Sequence, residues 1–539
     1  MNTLAGARSP RARGFYEIGR TSPHRTALHA DGDVLTYAAL LAEVHRWSHL
    51  LTTTMALQRG DTIAMVLPNS AQFVTVQLAA EQTGLHLVPI NWHLTVAEIA
   101  YLLADSGAQL VVTEEPLESV VAAAAENVGL AAGRVLVAGS ASQGRPVASL
   151  LDAQPVTPPE QRSGGSMHFY SSGTSGRPKG IRRPLPDPHR DPGAVADVRS
   201  RQRSAQFGLD VDAGRVHLAV APLYHPGPNL NALSALHLGQ ELILTRRFDP
   251  RLTLNLIDAH GVTSTFMVPV MFHRLLSLPE PERAEFGGSS LQVVMHAGAP
   301  CPAELKQAMI RWWGPVLTEY YGCTEFGMAT LITAEEWLCK PGSVGRPAEG
   351  ISLEVRDEQG RPLPPGHTGT VYVRGGYDFA YTGAAADGDV AGPAAADDPY
   401  RTAGDLGRLD EDGYLFIVDR RADLIISGGV NIYPAEVEAA LATEPSVADV
   451  VVVGTPDEEW GQRVVAVIEL HPGHEPGEPA VTRLTEHLAS RLARFKSPRA
   501  YRFVDSVPRT SLGKVNRSQV LQALMRTTSE DDVPAPHGR

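Results

Sequence analysis

The chain has 539 residues, more than one hydrophobic core usually supports, so we expect at least two domains. Hydrophobic residues make up 43% of the sequence and charged residues 20%, which is typical of a soluble globular protein. The formal net charge of -13 argues against nucleic acid as the main partner, because phosphate backbones select basic faces. The sequence contains no apolar stretch long enough to span a bilayer and no apolar region of a secretory signal. Three cysteines without C-x-x-C spacing argue against a disulfide framework and favour a reduced, cytoplasmic setting.

Strand-like and helix-like segments alternate from Thr62 onward. The apolar run TIAMVL is followed by the helix-patterned segment AQFVTVQLAAEQTG, the run HLVPI, the helical segment TVAEIAYLLADSG and the run QLVVT. Asn69 or Ser70 would cap the first of these helices. This order predicts an α/β fold in which helices cover a parallel sheet.

Four further apolar runs, near residues 215, 241, 263 and 291, predict additional buried strands. The loops that follow three of them contain PLYHPGPN, PVMFHRL and AGAPCP. Ligands on such folds usually bind beyond the carboxyl ends of the strands. These loops are therefore the first places where we expect a site.

The sequence divides into two predicted domains and a tail. Residues 1–421 form the expected large N-terminal domain of layered, helix-covered sheets, and residues 422–526 the expected small α+β C-terminal domain. The low-complexity segment 383–399 predicts a mobile surface insertion, and residues 527–539 predict a disordered tail.

The segment YSSGTSGRPKG at 170–180 has the composition of a loop that binds polyphosphate. Its glycines let backbone N–H groups approach anionic oxygens, its hydroxyls add donors, and Lys179 adds a compact positive charge. The loop differs from the ordinary P-loop because Pro178 precedes the lysine and Gly180 follows it. A solvated Ser/Gly linker is the alternative. The predicted phosphate-binding residues are Ser171, Ser172, Gly173, Thr174, Ser175, Gly176 and Lys179.

Six further motifs follow this loop in the order PLYHPGPN, HAGAPCP, EYYGCTEFG, the pair Gly404-Asp405, LDEDGYLFIVDRRADLIISGGVNIYPAEVE and PRTSLGKVNR. Together the seven closely resemble the adenylate-forming superfamily, which includes acyl-CoA synthetases, luciferases and the adenylation domains of peptide synthetases. The resemblance covers nearly the whole chain. It implies that the protein uses ATP, Mg²⁺ and coenzyme A, and that its C-terminal domain moves between two half-reactions.

The resemblance assigns a nucleotide role to residues in five segments. It implies that Tyr321, beside Gly322, stacks on adenine, that Thr324 donates to the α-phosphate, and that Glu325 and Thr174 hold Mg²⁺. The other wall of the adenine slot would consist of Gly298, Ala299 and Pro300. Glu319 either contacts the adenine amino group or is a surface acid. Asp405 and Arg420 would hold the ribose, although Ala403 interrupts the family's usual Thr-Gly-Asp sequence.

A second set of residues is implied to act on the acid and on coenzyme A. Lys514 would be the catalytic lysine of the mobile domain, which stabilises charge during adenylation. His225 would flank the acyl carboxylate, with a hydrogen-bonded loop histidine as the alternative. Gly428 and Gly429 would line the pantetheine tunnel. Ala422 replaces the usual Lys or Asp hinge, which an alanine can also serve.

The predicted function is that of an ATP-dependent carboxylic acid:CoA ligase, an acid-thiol ligase, whose motifs are most similar to those of fatty acyl-CoA ligases. We expect a fatty or other apolar acid, with aryl acids second. Ala422 keeps open an amide synthetase that passes the acyl-adenylate to an amine. A non-catalytic adenylate-binding regulatory protein is the alternative from another class. The sequence does not indicate an oligomeric state.

Overall fold

The computed structural model describes most of the chain, and several predicted site residues lie outside the described part. The described residues are 14–139, 144–171, 178–209, 214–382, 398–420, 423, 425–427, 430–432, 434–457, 461–489, 491–492, 496–509, 515, 517–526 and 533–534. The predictions that fall outside them concern residues 383–397 of the insertion and Ser172, Gly173, Thr174, Ser175, Gly176, Ala422, Gly428, Gly429 and Lys514.

The helices of the described residues are numbered in chain order. They are α1 Gly14–Thr21, α2 Tyr37–His49, α3 Ala71–Thr83, α4 Val96–Ser106, α5 Glu118–Asn127, α6 Ala148–Asp152, α7 Pro192–Gln206, α8 Pro226–His237, α9 Pro250–His260, α10 Pro269–Leu276, α11 Glu280–Glu285, α12 Ala303–Trp313, α13 Ala334–Cys339, α14 Pro434–Leu441, α15 Glu478–Ala489 and α16 Arg517–Arg526.

The strands are numbered in the same way. They are β1 Thr26–Ala30, β2 Asp33–Thr36, β3 Thr62–Val66, β4 His86–Ile90, β5 Leu110–Glu114, β6 Val135–Ala138, β7 Arg145–Pro146, β8 Ser166–Ser171, β9 Lys179–Arg182, β10 Val216–Ala219, β11 Glu241–Leu244, β12 Ser264–Met267, β13 Val293–His296, β14 Leu317–Cys323, β15 Gly327–Thr333, β16 Arg346–Pro347, β17 Ser352–Arg356, β18 Gly369–Arg374, β19 Ala380–Thr382, β20 Asp405–Leu409, β21 Leu415–Arg420, β22 Ile425–Ser427, β23 Val430–Ile432, β24 Val447–Asp457, β25 Gly461–Leu470, β26 Ala500–Phe503 and β27 Val533–Pro534.

The chain forms two compact units. The first contains the described residues of Met1–Ala297, Ala308–Gly327 and Gly376–Val390, and the second those of Gly298–Gln307, Met328–Gly375 and Ala391–Arg539. The domain boundary expected at residue 421 stays a prediction.

Two sheets organise the first unit. One has the order β19-β9-β8-β4-β3-β5-β6-β7, parallel from β8 to β7 and antiparallel where β9 and β19 join it. In the other, β14, β13, β12, β10, β11 and β1 lie side by side in parallel, and β2 pairs antiparallel with β1. The central strands β3, β4, β12 and β13 are buried on both faces, which is typical of parallel sheets covered by helices. The predicted α/β class is confirmed.

The second unit is built mainly from antiparallel strands. One sheet has the order β17-β18-β20-β21 and another the order β24-β25-β26-β27, in which β25 and β26 run parallel. Helices α14 and α15 bury Val437, Leu441, Leu484 and Leu488 in a core beneath β24 and β25. The expected small α+β domain is thus present as this helix-covered sheet.

The predicted elements agree with the structure in the first unit. Strand β3 begins at Thr62, and α3 begins after Ser70, whose hydroxyl accepts a hydrogen bond from the Phe73 N–H at 3.2 Å. The following Gly84 ends α3 at a φ of 77°, a conformation that glycine adopts without strain. Of the two candidate caps, Ser70 is therefore the one that the helix uses.

The structure describes two residues of the tail after residue 526, and the disorder expected for the tail stays a prediction. Val533 and Pro534 form β27, an antiparallel edge strand opposite Tyr501 and Ala500. The edge of β26 offers unpaired backbone groups, and two residues of the tail satisfy part of them. None of the helices in the described part of the chain combines the length and apolar character that a membrane crossing needs.

Candidate active site

Strands β8 and β9 hold the two ends of the predicted phosphate loop. In their antiparallel register, Ser171 lies opposite Lys179 and Tyr170 opposite Gly180. The Tyr101 hydroxyl donates to the Pro178 carbonyl at 3.0 Å, and the Tyr170 hydroxyl to Asp105 at 2.8 Å. Ser171 and Lys179 of the motif are thus paired where β8 ends and β9 begins.

Gly180 has a packing role that the sequence interpretation did not anticipate. A Cβ at this position would lie 2.1 Å from Thr382 Oγ1 and 2.6 Å from His168 Nε2. Those two atoms form a buried hydrogen bond of 3.0 Å with each other. Gly180 therefore admits β19 against β9, and its approach to an anion stays a prediction.

Ser171 contacts the candidate metal ligand Glu325. The Ser171 hydroxyl donates to Glu325 Oε1 at 3.2 Å. Glu325 and Thr324 lie on the turn that follows β14, so this contact joins two motifs that are far apart in sequence. A hydroxyl and a carboxylate supply oxygen donors, which suit Mg²⁺. The residues present fit the ion that the resemblance implies.

Arg183 holds the same turn through hydrogen bonds, and the sequence interpretation did not predict this role. Its guanidinium donates to the Glu325 carbonyl at 2.7 Å and also to the Thr324 carbonyl. It lies 4.8 Å from the centre of the Tyr377 ring, and burial lowers its pKa. The only signal in the sequence is the arginine pair that follows the phosphate-loop motif. The forked donor suits two adjacent carbonyls better than a lysine would.

Glu319 is not a surface acid, so that alternative is wrong. Its residue is 6% exposed and lies on β14 opposite His296, with His296 Nε2 3.9 Å from Glu319 Oε2. Tyr321 and Gly322 follow on the half-buried end of the same strand. Their roles toward adenine stay predictions.

The segment Gly298–Pro300 directly follows β13 in the sequence. Gly298 has a φ of 86°, which favours glycine, whereas a Cβ there would meet no described atom within 4 Å. The glycine is therefore required by the backbone and not by crowding. Ala299 and Pro300 continue this segment as small residues, and their role as an adenine wall stays a prediction.

Asp405 and Arg420 are direct partners across two antiparallel strands. Asp405 begins β20, Arg420 ends β21, and the register places them opposite each other. The Thr402 hydroxyl accepts a hydrogen bond from the Gly404 N–H at 3.0 Å, and Gly404 has a φ of 81°. This local turn accommodates the extra Ala403, so that Asp405 still starts the strand. The two predicted ribose residues are brought together.

His225 stands immediately before α8, and its ring centre lies 4.6 Å from that of Tyr224. At the second residue of the helix, a Cβ on Gly227 would lie 2.8 Å from Tyr320 Oη and 3.0 Å from Phe266 Cζ. The Tyr320 ring contacts both Phe266 and Phe207, and burial raises its pKa. The space beside Gly227 is therefore filled with aromatic side chains.

A cavity of about 420 Å³ lies within the first unit. Its wall includes residues from β8, from α7 and α8, and Arg183. Of the three loops in which a site is expected, the cavity touches only PLYHPGPN, through Pro226. Its apolar lining is contributed mainly by Leu85, Leu87, Met167, Phe169, Val195, Leu230 and Leu233.

Comparisons with known proteins show the family to which the chain belongs. The family model "AMP-binding enzyme" matches residues 15–379, and the model "AMP-binding enzyme C-terminal domain" matches residues 436–514. The chain therefore belongs to the AMP-binding enzyme family, which confirms the resemblance stated above. The expectation of an AMP-forming acid-thiol ligase is confirmed at the level of this family and of its relatives' named activities.

Individual relatives cover almost the whole chain. A fatty acid--[acyl-carrier-protein] ligase, ScoC, of Streptomyces coeruleorubidus is 33% identical, with 92% of this chain and 93% of the relative covered. A feruloyl-CoA synthase of an Amycolatopsis species is also 33% identical, with 93% and 96% covered. The structure of o-succinylbenzoate CoA synthetase from Bacillus subtilis, in complex with an acyl-adenylate intermediate, is similar at a TM-score of 0.78 and 27% identity, covering 94% of this chain and 98% of that one.

Proposed function

We propose that this protein is an ATP- and Mg²⁺-dependent carboxylic acid:CoA ligase that acts through an acyl-adenylate in a cytoplasmic setting. The observation that carries the proposal is the hydrogen bond between Ser171 and Glu325, because it unites the phosphate-loop motif with the motif expected to bind the α-phosphate and the metal. The facing positions of Asp405 and Arg420 support a ribose site of the kind that the family uses.

The first half-reaction joins the acid to AMP. The carboxylate attacks the α-phosphorus of ATP, and pyrophosphate leaves. In this proposal Ser171 and Lys179 orient the β- and γ-phosphates, while Thr324 donates to the α-phosphate. Glu325 and Thr174 would hold Mg²⁺, which neutralises charge on the polyphosphate when it is bound. Lys514 would stabilise the charge that develops between the carboxylate and the phosphorus.

The second half-reaction transfers the acyl group. The thiol of coenzyme A attacks the carbonyl carbon of the adenylate, a thioester bond forms, and AMP leaves with the bonding electrons. Gly428 and Gly429 would let the pantetheine arm pass close to the backbone, because neither carries a side chain. The thiol proton passes to solvent or to a nearby base.

The acid is proposed to occupy the cavity in the first unit. Its volume of about 420 Å³ lies in the range of small-molecule sites. Leu230 and Leu233 on α8 and Met167 and Phe169 on β8 give it an apolar wall. This lining favours a fatty or other apolar acid, with aryl acids second. Phe169 lies two residues before Ser171, which would bring an acid in the cavity close to the phosphate loop.

A substitution of Leu233 tests the location of the acid. Leu233→Trp would fill part of the cavity, and we expect the preferred acid, measured by pyrophosphate release over a series of chain lengths and aryl acids, to become shorter. Leu252→Trp is the matched control, because Leu252 is 45% exposed. An unchanged preference in Leu233→Trp, together with a changed one in Tyr320→Leu, would place the acid beside Gly227 instead.

The acceptor is tested separately. Ala422 at the usual hinge position motivates the amide synthetase as the second candidate. The purified protein is supplied with ATP, the acids that release pyrophosphate, and either coenzyme A, a phosphopantetheinylated carrier protein or a panel of amines. Thioester with coenzyme A is the expected product. Amide without thioester would favour the second candidate, and the absence of pyrophosphate release with every acid would favour a non-catalytic adenylate binder.

A further inference from the structure

We propose that His29, Glu241 and His260 form a binding site for a divalent transition metal of the zinc type. The site is independent of the proposed ligase reaction, because none of the three residues belongs to a motif assigned to ATP, the acid or coenzyme A. The three side chains come from segments far apart in sequence: His29 from β1, Glu241 from the start of β11 and His260 from the end of α9.

The fold brings the three ligand atoms close together. Strands β1 and β11 pair in parallel with His29 opposite Ile243. Glu241 lies on β11, two residues before Ile243. His29 Nε2 lies 2.7 Å from Glu241 Oε1, and the rings of His29 and His260 are 5.0 Å apart between centres at an angle of 71°. One ligand atom from each residue lies within 4.8 Å of the other two.

Two imidazole nitrogens and one carboxylate oxygen are a ligand set that zinc uses with a fourth, open position. Bonds of about 2.0 Å in tetrahedral geometry place ligand atoms about 3.3 Å apart. Around an ion, the His29 and Glu241 atoms, now 2.7 Å apart, must separate slightly, and any pair near the 4.8 Å limit must move closer. Side-chain rotation can supply this movement, because His29 is 23% and Glu241 26% exposed. The same exposure gives a hydrated ion access.

The ligand chemistry also predicts the selectivity of the site. Mg²⁺ and Ca²⁺ prefer sets made of oxygen atoms, whereas imidazole suits zinc, copper and nickel. The site would therefore not compete for the Mg²⁺ expected at Glu325. The simpler alternative is a hydrogen bond between His29 and Glu241 with an adjacent histidine ring, and exposed pairs of that kind contribute little stability.

A bound ion would cross-link three segments of the first unit. In addition to the backbone pairing of β1 with β11 and the contact between His29 and Glu241, a metal would add bonds that the unfolded chain cannot form. A ligand that binds only the folded state raises its melting temperature in proportion to the logarithm of its concentration over Kd. The predicted role is stabilising and does not enter the catalytic cycle.

Zinc titration of the full-length protein without a histidine tag tests the site. After treatment with a chelator, zinc binding is followed by calorimetry, and bound metal is counted after equilibrium dialysis. We expect the wild type to bind one more equivalent than His29→Ala, and His260→Ala and Glu241→Gln to bind that equivalent about tenfold more weakly or worse. His189→Ala, which removes an exposed histidine elsewhere, is expected to bind like the wild type. The cysteines are present in all variants, so any binding by them cancels in the comparison.

The melting temperature gives a second test of the metal site, and the adenylation rate tests the ligase proposal separately. Zinc is expected to raise the melting temperature of the wild type and of His189→Ala, but not of His29→Ala or His260→Gln, while Mg²⁺ has no such effect. His260→Gln replaces a half-exposed residue at a helix end, so it keeps the test valid if His29→Ala folds poorly. Equal zinc binding by the wild type, His29→Ala and His260→Gln would overturn the proposal. This result would leave the ligase proposal untouched, because pyrophosphate release is measured without zinc.

Discussion

Ser171 Oγ lies 3.2 Å from Glu325 Oε1 and joins the end of β8 to the turn after β14. The antiparallel pairing of β8 with β9 positions Ser171. The guanidinium of Arg183 donates to the Glu325 carbonyl and positions Glu325. In the proposed reaction this contact would hold both side chains close to their working positions before a polyphosphate and its metal bind, and such preorganisation is a main source of catalytic rate.

Removal of the charge on Glu325 should impair adenylation. We expect Glu325→Gln to lower the rate of pyrophosphate release by about a hundredfold or more and to raise the Mg²⁺ concentration needed for half-maximal rate. Glu358→Gln, on an exposed residue, is the control and should behave like the wild type. If the Mg²⁺ dependence of Glu325→Gln were that of the wild type, Glu325 would not be the metal ligand.

The ability of the Arg183 guanidinium to donate to two carbonyls should contribute more to activity than its positive charge. Arg183→Lys keeps a cation but cannot bond the Thr324 and Glu325 carbonyls together, so we expect kcat/KM for ATP to fall about tenfold. Arg182→Lys changes an exposed neighbour and should have no effect. Equal activity of Arg183→Lys and the wild type would show that the turn holds its geometry without the arginine.

Gly180 should be intolerant of any side chain. We expect Gly180→Ala to lower the melting temperature by several degrees, because its Cβ would collide with Thr382 and His168 and displace β19. Gly133→Ala is the matched control, since the nearest atom to its Cβ, on Arg145, would lie 3.9 Å away. A melting temperature of Gly180→Ala equal to that of the control would mean that β19 is not held against β9.

Buried His217 should make the protein less stable in acid. Burial, with a smaller contribution from the charge of Arg203, lowers the pKa of His217 to about 3, and its Nδ1 lies 2.9 Å from Ser264 Oγ. The unfolded chain binds a proton below its ordinary pKa of about 6.5 and the folded chain does not, so stability is full above that pH and falls as the pH drops toward 3. This one residue should account for about 2 kcal/mol at pH 5.

The measurement for His217 is the melting temperature between pH 7 and pH 5. His217→Asn keeps a polar side chain beside Ser264 but cannot titrate, so its melting temperature should fall less steeply than that of the wild type. Burial lowers the pKa of His86 to about 4 and that of His168 to about 3. These two residues should therefore contribute to the fall of melting temperature with pH in both the wild type and the variant. Identical slopes would contradict the assignment to His217.

The sequence predicts the parallel sheets well, because their signal is local. The apolar run at Thr62 and the serine at position 70 identify β3 and the start of α3 without any tertiary information. The resemblance likewise identifies Asp405 and Arg420 separately. Their pairing across β20 and β21 depends on strand register, for which the sequence interpretation had no argument.

Features made by packing between distant elements could not be predicted. Glu319 is buried because β14 lies beside β13, and an isolated acidic residue in a sequence carries no sign of this. The cavity depends on how α7 and α8 pack near β8, so its apolar residues look like ordinary core positions. Arg183 reaches two backbone carbonyls, which have no sequence signature at all.

The most direct test of the central claim is to follow the products in time. The protein is incubated with ATP, Mg²⁺ and an accepted acid, and coenzyme A is added after the first products have formed, with quenched samples analysed by mass spectrometry. We predict that acyl-adenylate and pyrophosphate form before coenzyme A is added, and that the adenylate then disappears as AMP and the acyl thioester appear. The Lys514→Ala variant should form little adenylate. Formation of ADP in place of AMP, or unchanged pyrophosphate release in Lys514→Ala, would contradict the account.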